Sequence, residues 1–172
     1  MKHLFIPLVA CCIAAFPVAA MAEDASCTNG TPPLPAGYEG WRVPHPLTAA
    51  TRPEDLPQSM ITLNHAFMVH LAHTSDVHFL QRPSEPGGSV SYSGMVDFVA
   101  PHAGTYRVML PNKTWIDVLS GSTRDSSTRH QHGPDCSGIR KMVDFSLQAG
   151  PHTLQLTGSG LQDMPVMVLA IP

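Results

Sequence analysis

The sequence predicts an all-β protein, an antiparallel sandwich or barrel of about eight or nine short strands preceded by a proline-rich arm. Three observations predict it. No window sustains the 3.6-residue apolar period of a helix, whereas several stretches alternate apolar and polar residues. The connections are rich in Gly, Pro, Ser and Asn. The chain of 172 residues carries 17 Pro and 13 Gly but only 13% charged residues, which argues against a coiled coil or helical bundle.

In chain order, Met1-Lys2-His3 is a short basic start to the apolar run Leu4 to Ala20, and Ala20-Met21-Ala22 is a small-x-small cleavage site. Residues 1–22 are therefore expected to be an export signal, making the mature protein periplasmic or secreted. A lipoprotein signal ending at Cys11 is the rival, with a shorter apolar stretch. No later segment has the length of apolar sequence a membrane span needs. Residues 23–58 form the arm. Pro32, Pro33, Pro35, Pro44, Pro46, Pro53 and Pro57 remove donors and fix φ, so an extended path is expected, with Tyr38 and Trp41 as anchors and a short helical turn near Pro53.

Residues 59–172 are the expected sandwich domain. Strands are predicted at 60–63, 66–71, 77–80, 94–100, 105–110, 115–119, 139–147, 152–157 and 166–171. Tyr106, Val108 and Leu110 share one face, as do Val143, Phe145 and Leu147, or Leu154 and Leu156. Met95-Val96-Asp97-Phe98 recurs as Met142-Val143-Asp144-Phe145, each followed by Ala-Gly and another alternating strand, which predicts two equivalent hairpins. Asp97 and Asp144 are expected to face solvent or cap these hairpins.

Cys11 and Cys12 leave with the signal. Cys27 and Cys136 remain, and two cysteines in an oxidising compartment usually pair, although free or metal-bound thiols stay open. The net charge of −3 with neutral histidines becomes −4 once Lys2 is removed, which disfavours nucleic-acid binding.

Histidine carries the chemistry. Of ten, nine lie beyond the signal. His130 and His132, two apart on an extended chain, point the same way and are positioned to chelate one ion, with Asp135 adding an oxygen after the Gly133-Pro134 turn. The bland alternative is a solvated loop. His65, His70, His73 and His78 form a second cluster. There His70 and His78 are expected to oppose each other across neighbouring strands, close to Met68, a mixture that suits copper. Copper or zinc is the cofactor these residues point to, with iron less favoured. Nothing in the sequence shows the two clusters meeting. Nine histidines also permit an acid-responsive surface.

Other chemistry finds little support. There is no Gly-x-Ser-x-Gly and no phosphate-cradling glycine loop before a helix. Arg140-Lys141 is a basic strand edge, suited to an acidic partner or to discouraging edge pairing. A binding module for an envelope glycan or protein would need exposed aromatics, for which Tyr38, Trp41, Tyr92 and Trp115 are the candidates. Trp115, next to Asp117, reads more readily as a core or inter-sheet residue.

The strand–Ala-Gly–strand pattern resembles jelly-roll-like β-sandwich modules of secreted enzymes, which narrows the fold expectation to a sandwich of that kind. The mature chain from Leu34 onward resembles a group of small exported bacterial proteins labelled homogentisate 1,2-dioxygenase. The resemblance rests on Leu34-Pro35-Ala36-Gly37, Gly40-Trp41, Pro86-Gly87-Gly88-Ser89, Gly104-Thr105-Tyr106-Arg107-Val108, Trp115-Ile116-Asp117-Val118 and the run from His130 to Lys141. Taken at its word it implies an iron-dependent ring-cleaving dioxygenase. The two-histidine, one-glutamate iron spacing of that enzyme is not visible here.

Overall fold

The computed structural model describes Cys27, residues 33–88 and residues 90–171. The expected export signal lies outside the described residues. Alternating sequence becomes alternating burial in eleven strands: β1 (His45–Thr48), β2 (Ala66–His70), β3 (Ala72–His73), β4 (Tyr92–Ala100), β5 (Gly104–Leu110), β6 (Trp115–Ser120), β7 (Thr123–Asp125), β8 (Ser127–Gln131), β9 (Lys141–Leu147), β10 (Gly150–Ser159) and β11 (Asp163–Ile171). A six-stranded sheet runs β1-β2-β11-β5-β9-β8, and a five-stranded sheet runs β3-β4-β10-β6-β7. Every pairing is antiparallel except β1 with β2. This is the all-β sandwich the sequence predicts.

Its core is the set of side chains read from the alternation. Tyr106, Val108 and Leu110 meet Val143, Phe145 and Leu147 from one sheet, and Phe98, Val118, Leu154 and Leu156 from the other. Both outer faces are also covered. On the six-stranded sheet, Tyr38 and Trp41 pack with Met109, Met142, Met167 and Leu169. The indole N–H of Trp41 donates to the Ser137 carbonyl at 3.1 Å. The disulfide Cys27–Cys136 spans 109 positions on the same side. On the five-stranded sheet, Leu56 from the 3-10 turn Pro53–Gln58 packs with Ala50, Met95 and Phe79. There the buried Gln155 amide exchanges two hydrogen bonds with the backbone of Gln81, fastening that segment over the sheet face.

Several expected elements differ. Residues 60–63 and 77–80 are not strands: 60–63 meet the edge of β4 through a single bridge, Met60 with Asp97, and send Ile61 into the inter-sheet core, while 77–80 lie across the outside of the five-stranded sheet, where Phe79 packs with Met95. Strands β1, β7 and β8 arise in stretches read as arm or loop. β1 and β8 are the outermost strands of one sheet and β7 of the other, where Pro46 and short polar runs are tolerated.

The repeated Met-Val-Asp-Phe segments are not hairpins. Each Ala-Gly step carries the chain from one sheet to the other: β4 to β5 and β9 to β10 change sheets in opposite senses. The strands then pair between copies, β4 with β10 and β5 with β9. Asp97 sits opposite Thr153 as Asp144 sits opposite Arg107, and Phe98 opposite His152 as Phe145 opposite Tyr106. The internal repeat is thus an approximate twofold of the sandwich. Asp144 does not face solvent: it is 5% exposed and paired with Arg107, and only the partly exposed Asp97 approaches the expected setting.

Candidate functional site

One recess lies where the edge of one sheet faces the edge of the other. β9 presents Lys141, Val143 and Phe145 inward, β8 presents His130 beside Val143, and β6 closes the opposite wall with Trp115 and Asp117. Two connected spaces share Trp115, His130 and Lys141. The first, about 380 Å³, is lined by Asn112, Lys113, Trp115, His130, Gln131, His132, Arg140, Lys141 and Met142. The second, about 250 Å³, adds Ser84, Arg124, Asp117 and Asp125. The larger falls within the usual size of small-ligand sites.

Trp115 is the residue the sequence reading misplaced. It is 38% exposed rather than in the core. Its ring is nevertheless fixed, because its N–H donates to Ser84 Oγ at 2.7 Å and lies 3.3 Å from Asp117 Oδ1. The ammonium of Lys141 sits 5.3 Å from the ring centroid and donates to the Thr114 carbonyl at 2.8 Å. Burial pushes the Lys141 amine below its ordinary range. Of the other aromatic candidates, Tyr38 and Trp41 are buried, and Tyr92 packs 4.9 Å from the His73 ring.

Charge in the recess is uneven. Asp117 is buried, but it accepts from the Ser84 N–H at 3.0 Å, from Ser84 Oγ, and from Arg124 Nε at 3.1 Å. Asp125 accepts from Ser120 Oγ at 2.7 Å. The larger space is lined by Lys113, Arg140, Lys141 and two histidines, with no carboxylate.

The histidines expected to bind metal are distributed as follows. His130 and His132 do line one groove. His130 Nε2 lies 2.8 Å from Ser127 Oγ, and His132 Nδ1 donates to the Arg140 carbonyl at 3.0 Å, leaving its Nε2 for a ligand. Asp135 lines a neighbouring groove with His132, Arg140 and the disulfide, beyond the Gly133 turn. A Cβ at Gly133 would collide with the Ile139 carbonyl, so only glycine permits this close return.

His70 and His78 do not oppose each other. β2 belongs to the six-stranded sheet and pairs with β1 and β11, and the chain changes sheets at Leu71, so His78 lies in the segment after β3, where its N–H donates to the Thr51 carbonyl at 2.7 Å. His70 Nδ1 instead contacts Asp163 Oδ1 at 2.7 Å. β2 and β8 are four strand spacings apart, about 19 Å, so the two clusters do not form one site. Among the described residues no three His, Cys, Asp or Glu side chains gather to hold an ion, whether copper, zinc or the iron the resemblance implies. The three cations around His130 and His132 further oppose a positive guest.

One unanticipated constellation resembles a catalytic one without its order. Ser120 Oγ lies 3.0 Å from His152 Nδ1 and donates to Asp125 Oδ2. The serine thus stands between histidine and aspartate, whereas nucleophilic activation needs the histidine in the middle. His152 is 3% exposed, stacks on Phe98 and spends Nε2 on the Gln148 carbonyl. These residues join β6, β7 and β10.

Comparison of the chain with family models, curated proteins and solved structures finds no match.

Proposed function

We propose that this protein is a non-enzymatic binding module acting outside the cytoplasm, and that the recess between β6 and β8–β9 takes a saccharide of the cell envelope. A single observation carries the reading: an indole fixed by Ser84 and Asp117 remains open at the rim of a groove that strands hold rigid. Indole offers an apolar face with a polar edge, and fixing it in advance removes an ordering cost from binding.

The test is calorimetric titration of the mature protein with neutral and acidic envelope oligosaccharides, beside the Trp115→Ala variant. At least a tenfold loss of affinity in the variant is expected. Three outcomes would overturn the reading: no binding of either class, a rise in Tm with Cu²⁺ or Zn²⁺ that His130→Ala abolishes, or oxygen uptake with homogentisate by iron-loaded protein.

A further inference from the structure

We infer that the occupant of this groove is an acidic saccharide, a uronic-acid-bearing glycan whose carboxylate meets Lys141 and Arg140. The inference rests on the binding-module reading and adds the charge of the ligand. Its first support is contrast. The chain is net negative, yet the larger space is lined by Lys113, Arg140, Lys141, His130 and His132, without a carboxylate.

The second support is the unmet charge of Lys141. Among the described residues, Arg107 meets the carboxylate of Asp144 and Arg124 that of Asp117. Lys141 has only a carbonyl and an aromatic face, and burial already weakens its hold on the proton. The groups facing it are Thr114 just before β6, Trp115 from β6, His130 from β8, and its neighbour Arg140. The carboxylates of the adjoining space, Asp117 and Asp125, are taken by Arg124, Ser84 and Ser120, and Asp135 lines the next groove, which shares His132 and Arg140 but not Lys141. An incoming anion would restore to Lys141 the partner that the fold withholds.

The third support is shape. A short rigid recess with one fixed indole suits a pyranose ring, whose C–H face packs on the aromatic while its carboxylate reaches the cations. A flexible acidic peptide would have to be ordered first.

The experiment titrates the mature protein with oligogalacturonate, with its methyl ester, and with a DNA duplex of matched charge, at low and moderate salt. Arg140→Ala, at an exposed position, accompanies Lys141→Met. Expected are at least tenfold tighter binding of the acid than of the ester, weakening with salt, and a fivefold or greater loss in Arg140→Ala for the acid alone. Equal binding of acid and ester overturns the inference while leaving the binding-module reading intact. Equal binding of the DNA also overturns it, by revealing an unselective polyanion surface. Binding of neither saccharide removes both readings together. Should Lys141→Met unfold, the comparison of acid with ester in Arg140→Ala decides the matter.

Discussion

Asp144 on β9 holds Arg107 on β5 through two parallel bonds, Nε to Oδ1 at 2.7 Å and Nη2 to Oδ2 at 2.8 Å, beneath the N-terminal arm. The arm completes the arrangement, since Arg107 Nη1 also donates to the hydroxyl of Tyr38. Asp144 raises the guanidinium's affinity for its proton, burial opposes this, and Tyr38 adds to it. The pair therefore locks two central strands and the arm together.

Removing one partner strands the other in a buried site. Asp144→Ala is expected to destabilise the protein by about 3–5 kcal/mol, as found for broken buried pairs, and Arg107→Leu with Asp144→Leu by distinctly less. Urea denaturation of both variants at neutral pH checks this. An equal loss in single and double variants would show that packing rather than uncompensated charge sets the cost.

How much of this was legible in the sequence follows from what alternation encodes. It reports which faces are buried, so the inter-sheet core from Tyr106 to Leu156 was readable, as was the covering role of Tyr38 and Trp41. It does not report which sheet a strand joins. The Ala103-Gly104 and Ala149-Gly150 steps look like hairpin turns until the pairing of β4 with β10 is known. His70 and His78 failed for the same reason: a change of sheet at Leu71 separates two segments that are close in sequence. His130 and His132 were found by their spacing, but the cations that change their meaning come from Lys113 and Arg140–Lys141. Trp115 stood among the aromatic candidates but read more readily as core, because a tryptophan opening a strand is more often buried and its polar anchor Ser84 lies far away in sequence.

Asp97, the repeat counterpart of Asp144, has a hydroxyl where Asp144 has a guanidinium. Burial raises its pKa, and the bond from Thr153 Oγ1 at 2.6 Å offsets this in part. A carboxyl whose folded pKa is raised favours the fold when protonated. That contribution is full below the unfolded value, about 3.9, and is lost as pH rises through the folded value. Asp97→Asn, which can still accept from Thr153, is expected to melt above wild type at pH 7, with the advantage vanishing towards pH 3. Melting temperatures measured across that range provide the check, and a pH-independent difference would refute the assignment.

The Cys27–Cys136 bridge closes a loop of 109 positions. Chain-entropy reasoning gives about 4–5 kcal/mol for a loop of that size, before any strain. Cys27→Ser with Cys136→Ser, or reduction of wild type, should lower stability by up to that amount. The Tyr38–Trp41 anchors reduce the loss if the arm stays docked without the bridge. Denaturant midpoints with and without reductant, combined with Trp41→Ala, separate the two attachments. Additive losses would mean that the anchors and the bridge act independently.

Thr153 and Thr157 lie on one face of β10, both buried, and the same substitution should act on them with opposite sign. Among the described residues, the Thr157 hydroxyl is buried without a protein partner, opposite Trp115 on β6. A valine there keeps the β-branched shape and removes a desolvated group, so Thr157→Val should stabilise by about 1 kcal/mol. Thr153→Val keeps the shape equally well, but it deprives the partly buried Asp97 carboxyl of its donor and should cost about 1–3 kcal/mol. For a domain of this size, 1 kcal/mol corresponds to roughly 2–4 °C in Tm, well within calorimetric resolution. Because size and β propensity change alike at both positions, opposite shifts would isolate hydrogen bonding as the cause. Equal shifts would mean that the two hydroxyls share the same environment.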